Sequence, residues 1–178
     1  MSDIYNKIVN VCNGLNVGLS QHILFVSIAE QKLYLFADGK IMRTYNISTS
    51  RKKPSCVENS NGTPLGLHKI DGKIGAGEPS GTVFRARVPC GLISEQSLQE
   101  QQKNLITTRI MRLRGLEDGV NSGGNVDTYN RYVYIHGTNQ EDKIGTPNSH
   151  GCVLLSNADV IEVFDVVKDG DIVLISEK

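Results

Sequence analysis

The sequence predicts a single, mainly β domain with two short helices. Short runs rich in Ile, Val, Leu, Phe and Tyr recur along the chain, separated by clusters of Gly, Pro, Asn, Asp and Ser. One stretch, "LYLFADGKIMRTYNIS", holds Asp38-Gly39, a pair that supplies the positive φ angles of a two-residue hairpin turn. No repeat, linker or shift of composition divides the 178 residues, a length that one hydrophobic core can organise.

The elements follow in order. "HILFVSIAEQKLYLF" reads as two strands with a polar break at Glu30 and Gln31, the second leading into the hairpin. "TSRKKPSCVENSNGTPLG" has the composition of a surface loop. "LHKI" is a short strand, "DGKIGAGEPSG" returns to turn chemistry, and the alternation of "VFRARV" predicts another strand. In "SEQSLQEQQKN", Ser97 and Glu100 have capping-box spacing, which predicts a short surface helix. "LITTRIMRL" is strand-like, "GLEDGVNSGGNVD" is a glycine-rich loop, and "RYVYIHG" is a buried strand ending on His136. Ser156 and Asp159 again have capping-box spacing, and Val160, Phe164 and Val167 recur on one helix face. Gly170 is expected to end that helix before a last strand, "DIVLIS".

Composition narrows the function classes. Lys plus Arg and Asp plus Glu are both 19, so no bulk charge draws the protein to nucleic acid or to an anionic membrane. Aromatic content is 6% with no Trp, which argues against a base-stacking platform. No apolar stretch reaches the length of a membrane span. The opening "MSDIYNKIVNVCNGLNVGL" lacks the cationic start, unbroken apolar run and small-residue cleavage site of a secretory signal. The expectation is a protein that stays in the cytoplasm, leaves by another route, or is a mature form. Cys12, Cys56, Cys90 and Cys152 are scattered without a C-x-x-C pair, so free thiols are expected rather than a zinc site or disulfides.

Chemistry concentrates in "SHGCVLLSN", residues 149–157, with a second His-Gly pair at 136–137. A thiol needs a base within hydrogen-bond reach, and the base needs an acceptor on its other nitrogen. Cys152 follows Gly151, and its proximity to a capped helix suggests a partly positive terminus nearby. His136 at a strand end would be held rigidly. The Gly137 carbonyl could accept its Nδ1–H, and a glycine there would leave room for substrate. Two other readings stand beside this one: a buried structural cysteine, and a metal site using His136, His150 and Cys152, for which no fourth ligand is apparent. For Cys12, Cys56, Cys90, His22 and His68, which lack such context, a structural role is expected.

"YIHGT" followed by "IGTPNSHGCVLLSNADV" resembles the YkuD-type L,D-transpeptidase catalytic domain, whose motif is a His, a similar spacer, then S/T-H-G-C. "GTPLGLHKI", "QKLYLFADGKIMRTYNISTS" and "TRIMRLRGLEDGVNSGGNVDTYNRYVYIHGT" are similar to its upstream segments. The resemblance covers residues 22–178 as the catalytic domain and leaves 1–21 as an N-terminal extension. It implies a sandwich-like mixed β-sheet with a cleft at the cysteine, no cofactor, and a bacterial enzyme acting on peptidoglycan stem peptides. By the same resemblance Cys152 is the nucleophile and His136 its general base. His150 and Gly151 belong to the catalytic loop, Ser149 helps hold it, and backbone amides near Gly151 and Cys152 form the oxyanion hole. Carbapenem-type inhibitors are implied as further partners.

The implied reaction releases terminal D-Ala from a tetrapeptide stem and passes the acyl group to an amine, giving a 3→3 cross-link. With water as acceptor the enzyme would be an L,D-carboxypeptidase, and a non-catalytic cell-wall-binding module is the remaining alternative. The family commonly carries Arg or Asn two positions after the cysteine, where this chain has Leu154. Arg109 and Arg131 are candidates to supply that cation, against a reading as solvated surface residues. Family members usually work in the periplasm or cell wall, whereas the opening segment shows no export signal, so the compartment stays open.

Overall fold

The computed structural model describes residues 3–178. Helix α1 (Asp3–Gly14) precedes the antiparallel strands β1 (His22–Ser27), β2 (Lys32–Ala37) and β3 (Lys40–Asn46). Asp38 and Gly39, at φ 49° and 74°, make the β2–β3 turn as expected. There follow β4 (Gly66–Ile74), β5 (Thr82–Arg85), β6 (Val88–Leu92), α2 (Leu98–Gln101), β7 (Ile106–Gly115) and β8 (Tyr134–Gly137). The chain ends with β9 (Val153–Leu155), α3 (Asn157–Val166) and β10 (Ile172–Ser176).

All ten strands join one mixed sheet in the order β3-β2-β1-β10-β4-β7-β5-β6, with β8 and then β9 branching from β7. The β1–β10 and β8–β9 pairs are parallel. Just past β3, Ser48 N–H donates to Leu154 O (2.9 Å) and Leu154 N–H donates to Ser48 O (2.8 Å). This reciprocal pair links the chain after β3 to β9, so the strand path returns on itself around the main core.

That core takes alternate residues of the central strands. Leu24, Val26, Val173 and Ile175 pack with Met111, Leu113, Ile135 and Val153, capped by Val160, Val163 and Phe164 of α3. The intervening residues Ile23, Phe25, Ile172 and Leu174 face the other way and meet Ile8 and Cys12 of α1. Both faces are therefore buried, which is why β1 and β10 read as unbroken apolar runs. Helix α1 was not among the two helices expected. Its Ile4, Ile8 and Cys12 share one face at four-residue spacing.

The other two helices carry the caps anticipated. Ser97 Oγ accepts the Glu100 N–H (3.3 Å), and Ser156 Oγ accepts the Asp159 N–H (3.1 Å). Such caps contribute about 1 kcal/mol each. Three local expectations change. "VFRARV" is a tight hairpin, because Ala86 and Arg87 take φ 47° and 70° and Arg85 pairs with Val88. "DGKI" continues β4, whose register shift between Ile70 and Lys73 absorbs Gly72 at φ 119°. Helix α3 stops at Val166, and Gly170 (φ 94°) instead turns the chain into β10.

His68 on β4 is fully buried and satisfied. Its Nδ1–H donates to Gly66 O (3.0 Å), and Nε2 accepts from Thr128 Oγ1 (3.1 Å). Burial pushes its pKa down to about 4, against the Gly66 hydrogen bond and with help from the Arg131 charge. The unfolded chain takes up that proton near pH 6.5, so stability is complete above this and falls as pH drops towards 4. Thermal unfolding between pH 7 and 4.5 should show a declining Tm, with a shallower decline in His68→Gln.

Candidate active site

The loop carrying Cys152 is built from both sides. Ser149 is buried; its N–H donates to Thr49 O (2.9 Å), and its Oγ donates to Cys152 O (2.6 Å) while accepting from Gly151 N–H (3.2 Å). Gly151 sits at φ 127°, and a Cβ there would lie 3.3 Å from Gly62 O, so this corner requires glycine. The strand-like segment 48–51 runs beside the loop and is itself held by Gln31. That buried amide accepts the Thr49 N–H (2.8 Å) and donates to Thr49 Oγ1 (2.7 Å) and Ile28 O (2.6 Å). On the far side Ser50 N–H reaches Thr63 Oγ1 (3.0 Å) and Ser50 Oγ reaches Asn61 O (2.5 Å).

Cys152 is half-buried beside an apolar cluster of Phe84, Ile110 and Tyr134. Its Sγ accepts from Tyr134 N–H (3.4 Å) and donates weakly to Tyr132 O (3.8 Å). Burial pushes the thiol pKa up to about 11, outweighing the Tyr134 N–H and the Arg131 charge, which both favour the thiolate. His136 is also buried, and its Nδ1–H donates to Gly137 O at 2.7 Å, the bond anticipated. Burial pushes its pKa down to about 4, only partly opposed by that bond. At neutral pH the site therefore holds a thiol and a neutral imidazole, not a thiolate–imidazolium pair.

The parallel register sets His136 beside Leu154, two residues past the thiol. His136 and Cys152 thus line one cavity of 170 Å³, together with Ile106, His150 and Leu154. A second cavity of 330 Å³ opens on the other side, lined by Glu58, Asn61, Arg131, Tyr132, His150 and Cys152. The thiol and His150 are common to both.

A family model, the YkuD L,D-transpeptidase catalytic domain, matches residues 21–175. The chain belongs to this family. Solved L,D-transpeptidases have a similar fold. The Mycobacterium smegmatis protein gives a TM-score of 0.55 at 18% identity, covering 88% of this chain and 58% of that one. L,D-transpeptidase 3 from Mycobacterium tuberculosis, in complex with a faropenem-derived adduct, gives 0.56 at 16%, covering 88% and 60%. LdtMt1 in complex with imipenem gives 0.53 at 20%, covering 88% and 59%. The chain thus spans less than two thirds of the length of these structures. No curated protein matches it.

Within this L,D-transpeptidase domain the anticipated residues divide. Cys152, His136, His150, Gly151 and Ser149 come together. Gly137 lines neither cavity; a Cβ there would lie 2.8 Å from Thr107 O and 2.9 Å from Asn157 Oδ1, so it serves close packing rather than substrate room. Arg109 also lies outside both cavities. It is buried, donates to Glu78 O and Thr108 O, and lies over the Phe164 ring. Arg131 lines the larger cavity, yet its guanidinium clamps the 55–62 loop through Ser55 O (3.1 Å), Gly62 O (2.8 Å) and Ser60 Oγ (3.4 Å). Neither arginine is the solvated surface group of the alternative reading.

Leu154 is buried against the smaller cavity. The α3 terminus does not supply the positive end expected near the thiol: β9 intervenes, and its first N–H groups donate to Glu141 Oε1 and Ser156 Oγ. Among the described residues, no group of three or more His, Cys, Asp or Glu is placed to hold a metal ion. All four cysteines are free, with Cys12 buried under α1. Sequence reading missed Gln31, which anchors the loop's neighbour, and Arg51, whose Nη2 lies 2.6 Å from His150 Nε2.

Thiolate content governs alkylation. Cys152 modification by iodoacetamide, followed by peptide mass spectrometry, should rise about tenfold per pH unit between pH 7 and 10 without a plateau. Arg131→Gln should slow it at each pH, because a charge favouring the thiolate is gone. A plateau near neutrality would mean that an ion pair forms after all.

Proposed function

We propose that this domain is a cysteine acyltransferase acting on peptidoglycan tetrapeptide stems. The observation that supports it is one cavity shared by Cys152 and His136, with His136 Nδ1–H engaged by Gly137 O so that Nε2 is left to take a proton. The neutral thiol suits a mechanism in which the proton leaves only as the sulfur attacks. For this, Sγ must turn from its contacts with Tyr134 and Tyr132 to hand its proton to His136 across the shared cavity.

Sγ then bonds to the carbonyl carbon of the third, diamino acid residue, and its proton passes to His136 Nε2. The oxyanion is received by the Cys152 N–H, since Gly151 N–H is already donated to Ser149 Oγ. As the C–N bond to D-Ala breaks, His136 returns the proton to the leaving amine. A second stem's side-chain amine attacks the thioester, passes its proton through His136 to sulfur, and leaves a 3→3 cross-link. Glu58, the carboxylate on the larger cavity, would draw an incoming ammonium to that side, where it gives up one proton to solvent before attacking as the amine. Water arriving there instead gives the tripeptide and an L,D-carboxypeptidase.

Carbapenems are acylating agents that this thiol would accept. Intact-protein mass spectrometry with a carbapenem should show one adduct. It should be lost in Cys152→Ala and kept when Cys12, Cys56 or Cys90 is replaced. Incubation with purified tetrapeptide muropeptides then separates the acceptors, with dimer reporting transfer and tripeptide alone reporting hydrolysis. A folded protein giving neither adduct nor product would overturn the proposal.

A further inference from the structure

Resting on that reading, we propose that Arg51, aimed by His150, binds the terminal carboxylate of the residue that leaves. Removal of a single C-terminal residue requires a way to recognise a free carboxylate, and a guanidinium does so with paired N–H donors. The other arginines considered for this role are already engaged. Leu154 brings no charge, Arg109 is buried against Phe164, and Arg131 is occupied by three acceptors of the 55–62 loop. Arg87 lies over the Tyr132 ring and donates to Tyr134 Oη.

Arg51 differs. It is exposed, and of its five side-chain N–H groups one meets His150 Nε2 at 2.6 Å. Its backbone N–H donates to Ser149 O (3.2 Å), which fixes the residue to the loop that carries the thiol. His150 lines both cavities and stands two positions before Cys152. Because a guanidinium only donates, His150 Nε2 is the acceptor and its proton lies on Nδ1. His150 in this state is a prop for a cation, and the base role falls to His136.

The test compares a tetrapeptide with a free C-terminal carboxylate to the same peptide bearing a C-terminal amide. Wild-type protein should favour the acid by about tenfold to a hundredfold in kcat/KM, the range of hydrogen bonds to charged groups. Arg51→Ala should lose that preference, mainly through KM on the acid, while its rate on the amide stays near that of wild type. Arg51→Lys should recover part of it. Alkylation of Cys152 at wild-type rate shows that the loop is intact. Undiminished preference in Arg51→Ala would overturn this inference alone, as would an equal fall of kcat on both peptides, which would mean that Arg51 merely holds His150. A folded wild-type protein that turned over neither peptide would overturn the functional reading and this inference with it.

Discussion

The reciprocal hydrogen bonds between Ser48 and Leu154 are the contact on which the rest of the arrangement depends. They join the chain after β3, one end of the strand path, to β9 at the tip of the branch from β7. Without them β9 would pair only with β8, and the loop before it would have one supported side. With them, Ser149 comes within reach of Thr49, Gly151 within reach of Gly62, and Arg51 within reach of His150. The main core is enclosed by the same closure, so the contacts that complete the core also hold the cleft. Backbone pairs of this kind carry no side-chain signature, and the position tolerates Leu because its main chain does the joining.

Burial explains the electrical state of the site. Cys152 rests beside Phe84, Ile110 and Tyr134, and His136 lies in the adjoining strand. Low polarity disfavours both charged forms, so the thiol is protonated and the imidazole neutral. A thiol held protonated in this way reacts slowly with oxidants and alkylating agents at neutral pH.

Local features were the legible ones. Asp38-Gly39, Ser97 and Ser156 act within four residues of themselves, and each behaves as its sequence suggests. The short S-H-G-C string with an upstream His-Gly was equally readable, since strand pairing in parallel register needs only a modest spacer. Helix α1 had a signal that went unused: unbroken apolar strands need a cover on both faces, and Ile4, Ile8 and Cys12 offered one. The Ala86-Arg87 turn had none, because neither residue favours positive φ and the tight pairing of Arg85 with Val88 imposes it. Arg51 is separated from His150 by 99 positions, and Arg109 could be told from Arg131 only by what the fold set against each.

Gln31 illustrates a different kind of dependence. Its amide holds Thr49 by two bonds, one from the Thr49 backbone N–H and one to the Thr49 hydroxyl, from a turn that touches neither cavity. The side chain thus acts as a remote keystone. A substitution there would loosen segment 48–51, and with it the loop of Cys152, while leaving every residue that lines the two cavities in place. It would mark the side chain that holds the backbone of Thr49 where, among the described residues, no strand lies beside it.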